Sequence, residues 1–317
     1  MNAESVNQSI ESFDVVVVGA GPAGLSAALV LGRACRKVLI CDGGPGRNAP
    51  AEGVHGFFTQ DGTPPSELRR LGREQLQPYD VTYREVLVET AQATDAGFLV
   101  SLRSGSQVVC RKLIVATGIV DELPKLNGLD EIWGSTAILC PYCHGWEFRG
   151  KRWAFMATPE FLIESATLLR GWTDQLTYVT NGNDSIADSD RRWLTERSIA
   201  IREEPIAQLV SSNGQLKSIE FETGPAVDCS ILQFRAPFHQ RSSLAKDLGC
   251  TIIAEGPMAG MVKTEPTGAT EVPGLFIVGD AAAGLPSVAT AAAEGAFAAA
   301  VANRFMLAEE AAQVRPA

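Results

Sequence analysis

Phe13-Asp14-Val15-Val16-Val17-Val18-Gly19-Ala20-Gly21-Pro22-Ala23-Gly24 decides how this chain is read. A β-branched run of this kind marks a strand buried on both faces. It leads without a break into G-x-G-x-x-G, and Leu25, Ala28, Leu29 and Leu31 then carry an amphipathic helix. Strand, glycine turn and helix in this order are the dinucleotide fingerprint in its required context. Gly19 permits the tight turn, Gly21 lets a pyrophosphate approach the backbone, and Gly24 lets helix and strand pack closely. The helix N-terminus, with its free N–H groups, then faces the phosphates. A second strand, Lys37-Val38-Leu39-Ile40-Cys41, ends at Asp42, 18 residues beyond Gly24, near where a ribose-binding carboxylate belongs. The fingerprint by itself does not choose between FAD and NAD.

Outward from this unit, residues 43–62 are rich in Gly, Pro and Asn and form a long loop containing His55-Gly56-Phe57-Phe58. Ser66 to Gln77 reads as a helix. Val81–Tyr83, Val86–Thr90, Phe98–Leu102 and Val108–Cys110 read as strands, and Leu113-Ile114-Val115-Ala116-Thr117-Gly118 as a further strand ending in small residues. Far along the chain, Gly274-Leu275-Phe276-Ile277-Val278-Gly279-Asp280 repeats the buried strand ending in glycine, followed at once by an acid. The alanine-rich run from Ser287 to Phe305 reads as a helix packed closely inside the fold. The segment from Ala308 to Ala317 reads either as a frayed helix end or as a cover over a cofactor.

Between these flanks stands Cys140-Pro141-Tyr142-Cys143-His144-Gly145. Two cysteines at this spacing can close a disulfide within one helical turn. At a helix N-terminus, which Pro141 suits, the dipole favours the reactive thiolate. Half of a zinc site and a pair of buried structural thiols are the competing readings. Zinc wants four ligands, and the chain offers no second Cys-x-x-Cys or His-x3-His. Cysteines 35, 41, 110, 229 and 250 lie in apolar contexts and read as core, so seven cysteines with one close pair suggest a reducing compartment.

Bulk composition narrows the class. At 317 residues two domains are expected, and 45% hydrophobic with 20% charged residues suits an α/β protein. A formal net charge of −10 disfavours nucleic acid as a partner. The polar, acidic stretch from Met1 to Ser12 lacks the pattern of a signal peptide. No apolar run reaches the ~20 residues of a membrane helix, so a cytoplasmic location is expected.

Gly19-x-Gly21-x-x-Gly24, Ala116-Thr117-Gly118, the central Cys-x-x-Cys and Gly279-Asp280, in that order, resemble the low-molecular-weight thioredoxin reductases over nearly the whole chain. Cys-Pro-Tyr-Cys-His-Gly resembles the branch that includes dithiol oxidases of disulfide natural products. The resemblance implies a two-domain α/β flavoprotein disulfide reductase fold. A Rossmann-like FAD domain, residues 1–118 and 241–317, would be interrupted by a smaller NADPH-domain-like module, residues 119–240, carrying the dithiol. It implies FAD contacts at Gly19, Gly21, Pro22, Ala23, Gly24, Asp42, Gly43, Asn48, His55, Ala116, Thr117, Gly118, Gly279, Asp280 and Ala289. It makes Cys143 the flavin-facing thiol and Cys140 the exchanging one, and it implies a homodimer. His144 occupies the place of an aspartate in bacterial relatives, either as acid or base or as a structural cap. Gly145 and Trp146 read as packing, and Glu147 as a proton shuttle or an exposed carboxylate.

The inserted module departs from the family pattern in two ways. Lys151–Met156 supplies the nucleotide strand, yet Ala157-Thr158-Pro159-Glu160-Phe161-Leu162 follows without a glycine. The next strand, Gln175 to Thr180, ends at Asn181-Gly182-Asn183-Asp184, where a cluster of arginines gripping a 2′-phosphate is expected. Arg191 and Arg192 come later, on a helix-like stretch. Efficient NADPH use is therefore not expected. The functions left standing are a flavin disulfide reductase acting on a thioredoxin-type protein or small disulfide, with ferredoxin as a possible donor, and an oxygen-dependent dithiol oxidase. An NADPH-thioredoxin reductase and a flavin redox sensor without turnover complete the set.

Overall fold

A computed structural model describes residues 10–183, 186–282, 284 and 286–314. The chain divides into two compact units. One comprises the described parts of Met1–Arg47, Ser66–Val120 and Phe238–Ala317, the other Asn48–Pro65 and Asp121–Pro237.

The first unit opens with β1 (Glu11–Val18), α1 (Pro22–Arg33), β2 (Val38–Cys41), α2 (Pro65–Glu74), β3 (Val81–Arg84), β4 (Val88–Thr94), β5 (Gly97–Leu102) and β6 (Gln107–Val115). After β7 (Ile119–Asp121) the second unit supplies α3 (Leu129–Ile132), β8 (Ala137–Ile138), α4 (Pro141–His144), β9 (Trp153–Met156), α5 (Leu162–Leu169), β10 (Leu176–Val179) and α6 (Asp188–Glu196). It continues through β11 (Ala200–Arg202), β12 (Ile206–Ser212), β13 (Gln215–Phe221), β14 (Val227–Asp228) and β15 (Ile231–Phe234). The chain returns by β16 (Phe238–Gln240) and finishes with α7 (Leu244–Asp247), β17 (Leu275–Ile277) and α8 (Val288–Val314).

In the first sheet the order is β3-β2-β1-β6-β5-β4, with β17 also on β6. Strands β1, β2, β3, β6 and β17 run parallel, and β4 and β5 add an antiparallel edge. Val15, Val16 and Val17 are fully buried, each removal from water contributing roughly 1.5–3 kcal/mol. The second unit holds a smaller parallel sheet, β11-β10-β9-β15-β8, and a three-stranded antiparallel sheet, β12-β13-β14. This is a mixed α/β architecture built on a Rossmann-like sheet.

Several expectations are corrected. Val108–Cys110 and the run from Leu113 belong to one nine-residue strand, β6. The intervening Arg111 and Lys112 do not break it because both reach carboxylates of α8. Of the two readings of the tail, the helix end is the one seen, as far as Val314, tied down by those same pairs. The Ala-rich helix buries Ala298, Ala299, Ala302 and Met306, while Phe297 and Phe305 stand about half exposed. Its close approach comes from small residues: a Cβ on Gly295 would lie 2.0 Å from the Ala23 carbonyl oxygen of α1. Residues 48–65, assigned to the first domain from the sequence, group with the second unit. The segment closes on itself through the Val54–Thr63 bridge, and Pro50 fills the space a side chain at Gly134 would need. Cys35 is exposed in a turn at φ 59°, not core. Asp184 and the last residues of the tail lie outside the described residues.

Candidate active site

The glycine turn joins β1 to α1. Gly19 sits at φ +107°, and a Cβ there would stand 2.4 Å from the Ala116 carbonyl oxygen at the end of β6. On Gly24 a Cβ would meet the Gly19 carbonyl oxygen at 1.8 Å, so these two glycines serve the packing of the chain on itself. Gly21 differs. It is the N-cap of α1, contributes no side-chain cap, and a Cβ there would have no atom within 4 Å. Nothing in the protein demands glycine at 21; the open space and the uncapped helix start, with Pro22 following, fit an approaching anion.

The strand ends gather around this turn. Ala116 N–H donates to Val18, Gly118 lies 4.0 Å (as a built Cβ) from Asp280, and Gly279 packs on Ala23. Thr117 and Gly118 close the same β6 end, while Ala289 is exposed in the first turn of α8, whose Ser287 Oγ accepts the Thr290 N–H at 3.0 Å. Gly43 follows Asp42, with Leu87 against its α-carbon.

Asp42 is 9% exposed and already hydrogen-bonded. Its Oδ1 accepts the Gly44 N–H at 3.0 Å, and Oδ2 accepts Arg69 at 2.6 Å and the Tyr83 hydroxyl. Oδ1 thus keeps the spare acceptor capacity for a ribose hydroxyl. Arg69 also donates to the Ala20 carbonyl at 3.2 Å, tying the acid to the glycine turn. At the other strand end, Arg47 pairs with Asp280 at 3.0 Å, and the Gly279 N–H donates to Glu294 at 2.8 Å. Burial pushes the Glu294 carboxyl above its ordinary pKa, opposed by the Gly279 N–H and reinforced by Asp280. Arg69, Tyr83, Arg47 and Glu294 were missed in the sequence; nothing local distinguishes them from residues on solvated helix faces or in loops.

Asn48 and His55 belong to the segment that groups with the second unit. Asn48 accepts a backbone bond from Ala51, and His55 lies between Asp61 and Glu147.

In the second unit, Cys140 and Cys143 form a disulfide with Cα atoms 5.4 Å apart. Cys140 is the extended N-cap and Pro141 the first residue of α4. This helix is a single turn, so the expected dipole contribution to the thiolate is small. Gly145 is a packing residue: a Cβ would lie 2.5 Å from the Pro141 oxygen and 2.6 Å from Trp172 Nε1. Trp146 is not. It is 67% exposed, with the Arg149 guanidinium over its ring.

Both ring nitrogens of His144 are shielded from solvent and have no hydrogen-bond partner among the described residues. Burial holds its pKa below the ordinary histidine value; the Cys140 carbonyl, near the ring but outside hydrogen-bond geometry, opposes this. His55 lowers it further, whereas Glu147 and Glu52 raise it. Burial thus favours the neutral form of the imidazole.

At the carboxyl ends of β9 and β15, where a parallel sheet of this order would hold a nucleotide, the turn after β9 carries no glycine. Phe161 stands there under the Arg235 guanidinium at 4.1 Å. Arg191 is held by Glu203 through two bonds of 2.8 and 2.7 Å, and Arg202 pairs with Glu204.

A family model described as pyridine nucleotide-disulphide oxidoreductase matches residues 13–152. "Thioredoxin reductase sirT" of Leptosphaeria maculans is 32% identical, the match covering 89% of this chain and 91% of that one. The chain belongs to the pyridine nucleotide-disulphide oxidoreductase family, among its thioredoxin reductase-like members. "Thioredoxin reductase tcpT" of Claviceps purpurea is 31% identical over 93% of this chain and 95% of its own. Among solved structures, HlmI superposes with a TM-score of 0.88 at 33% identity, covering 98% and 97% of the two chains. A putative thioredoxin reductase TrxB of Bacillus anthracis gives 0.88 at 28% identity over 94% and 99%. As a family member the chain is a flavoprotein disulfide oxidoreductase, and membership implies FAD. The open face of Gly21 and the gathered strand ends fit that cofactor. No helix among the described residues is long and apolar enough to cross a membrane.

Proposed function

We propose that this chain is an FAD-dependent thiol–disulfide oxidoreductase whose Cys140–Cys143 pair exchanges electrons with bound flavin. Its partner is a small dithiol or disulfide or a thioredoxin-type protein, and turnover proceeds without efficient use of NADPH. The observation that carries the reading is the disulfide on its one-turn helix, adjoining His144, whose ring nitrogens are shielded. FAD, when bound through the glycine turn, Asp42 and Asp280, supplies a carrier of two electrons. The chain's own residues do the sulfur chemistry. Cys140 is the thiol that exchanges with the partner, Cys143 is the leaving and resolving sulfur, and His144 accepts and returns the proton.

Independence from NADPH is supported by the glycine-free turn after β9, the Arg235–Phe161 stack at the strand ends, and the engagement of Arg191 by Glu203. Oxidation of a small dithiol, with oxygen accepting the electrons, is the second reading. It is favoured by the glycine-free turn after β9, since a protein without a nucleotide donor can take its electrons from the thiol substrate.

Replacing either Cys140 or Cys143 with Ser lowers disulfide exchange at least about 100-fold while FAD stays bound. Exchange that persists in both variants overturns the assignment. Oxygen uptake with small dithiols selects the oxidase, and a trapped mixed disulfide with a thioredoxin selects the reductase.

A further inference from the structure

We propose that Gln233, on β15, is a positioning residue for the dithiol: it holds the peptide that leads into Cys140 and so keeps the two sulfurs within closing reach once their bond is broken. This rests on the disulfide exchange proposed above and adds a residue to it.

Gln233 is 5% exposed, and its amide nitrogen donates to two backbone carbonyls, those of Leu139 and Phe234, each at 3.1 Å. Turned over, the amide would set its oxygen against both carbonyl oxygens, so its orientation is fixed. Oε1 is left shielded from solvent and without a hydrogen-bond partner among the described residues. A stranded buried acceptor is costly. Sheet pairing gives no reason to bear that cost. Strands β8 and β15 are already in register, Ala137 opposite Leu232 and Ile138 opposite Gln233, and the Leu232 N–H donates to the Thr136 carbonyl at 2.8 Å. Side chains alternate along β15. Leu232 and Phe234 face the core shared with β12 and β13, whereas Ile231 belongs to the cluster with Ile138 and Leu162 of α5. Gln233 shares the face of Ile231, where an apolar side chain would be the stabilising choice.

What the glutamine adds lies just past the ladder. The Leu139 carbonyl and the Cys140 N–H belong to one planar peptide group, so a bond to the first fixes the plane of the second. Strand β8 ends at Ile138, and Cys140 is the extended N-cap of α4, at φ −109°. On the other side of Cys140, its carbonyl accepts the Cys143 N–H at 3.2 Å. In the oxidised pair the disulfide itself ties the two residues, with Cα atoms 5.4 Å apart. In the dithiol that tie is gone, and only the backbone holds from Gln233 and from the α4 turn remain. Holding two reacting groups in place raises their effective concentration. Gln233 therefore acts on the reduced pair more than on the oxidised one.

The step it assists is closure. With glutathione disulfide as the oxidant, Cys140 gives up its proton and attacks one sulfur, and one glutathione leaves as thiolate and takes up a proton. Cys143, deprotonated in turn, attacks Cys140 Sγ, and the second glutathione leaves in the same way. One enzyme disulfide forms, one glutathione disulfide is broken, and two electrons pass from the pair to two molecules of glutathione.

The test equilibrates the FAD-loaded full chain under argon across a series of glutathione and glutathione disulfide buffers, then acid-quenches, alkylates and weighs it by mass spectrometry. Gln233→Leu reaches half reduction at a ratio of squared glutathione to glutathione disulfide about 5-fold or more below that of the wild type. A larger fraction of the variant also carries one glutathione on Cys140. Gln233→Met, which keeps the length of the side chain but not its N–H groups, shows the same two effects. A merely structural role weakens the oxidised and reduced forms alike and leaves this midpoint unmoved. Wild-type midpoints in the folded variants therefore overturn the assignment, as does a shift in the opposite direction. If the wild-type pair itself stays oxidised throughout, even in excess dithiothreitol, disulfide exchange at this pair is refuted; if it titrates and both variants titrate with it, only the role of Gln233 is.

Discussion

Gly21 and Gly24 sit three residues apart in one turn, yet different neighbours require them. A side chain on Gly24 would collide with the Gly19 carbonyl, whereas one on Gly21 would meet nothing in the protein. Gly24→Ala therefore destabilises the folded chain itself, by about 1–3 kcal/mol or more, seen as a lower denaturation midpoint of the flavin-free protein. Gly21→Ala leaves that midpoint unchanged and weakens FAD binding by about 10-fold or more, measured by flavin titration of the apoprotein. Equal effects on both quantities from the two variants would contradict this division. The glycines could be read in the sequence because a backbone constraint is written in adjacent residues. The partners of the acids could not: Arg69 stands 27 positions from Asp42, and Arg47 stands 233 from Asp280.

Helix α8 shows how a local pattern can be right in kind and wrong in extent. Its alanine composition predicts a helix packed closely, and Gly295 against Ala23 is that packing. Its length and its buried face were decided elsewhere. Arg36 reaches Glu310 at 2.6 Å, Arg111 reaches it at 2.5 Å, and Lys112 pairs with Glu309. The hydrogen bonds from Arg36 and then Arg111 lower the Glu310 pKa to about 2 from its model-peptide value of 4.5. A depressed carboxylate pKa means that the interaction is fully present above pH 4.5 and is lost as pH falls toward 2. Protection of the last turns of α8, taken as amide exchange relative to the intrinsic rate at each pH, therefore falls across that window, more than in α1, and Glu310→Gln removes the difference. Protection factors of those amides that stay constant between pH 4.5 and 2 would count against the clamp. The same contacts explain why β6 runs unbroken through Arg111 and Lys112.

Across the whole molecule, one unit carries the dinucleotide turn and the other the dithiol, each on its own parallel sheet. The second sheet keeps the strand order that supports a nucleotide while its turn lacks the glycine that would admit one. Anaerobic mixing with excess NADPH is accordingly expected to leave the flavin oxidised, whereas dithiothreitol bleaches it through Cys140 and Cys143. Rapid bleaching by NADPH, followed by its absorbance near the visible flavin band, would show that the second sheet still admits the nucleotide. The segment 48–65 is the part of this division that pattern alone assigned to the other side. A loop has no period to read, and its allegiance depends on what its backbone closes against.

The sequence by itself determined the strand–glycine–helix unit, the acid after Gly279 and the spacing that lets Cys140 and Cys143 pair, because each is fixed within one turn or one strand end. The tertiary structure alone decided which donors hold Asp42 and Asp280, how far α8 extends, and that the His144 ring nitrogens are shielded from water. Those facts depend on elements far apart in the chain being stacked against one another. Burial and electrostatic surroundings are properties of that stacking, and neighbouring residues carry no record of it.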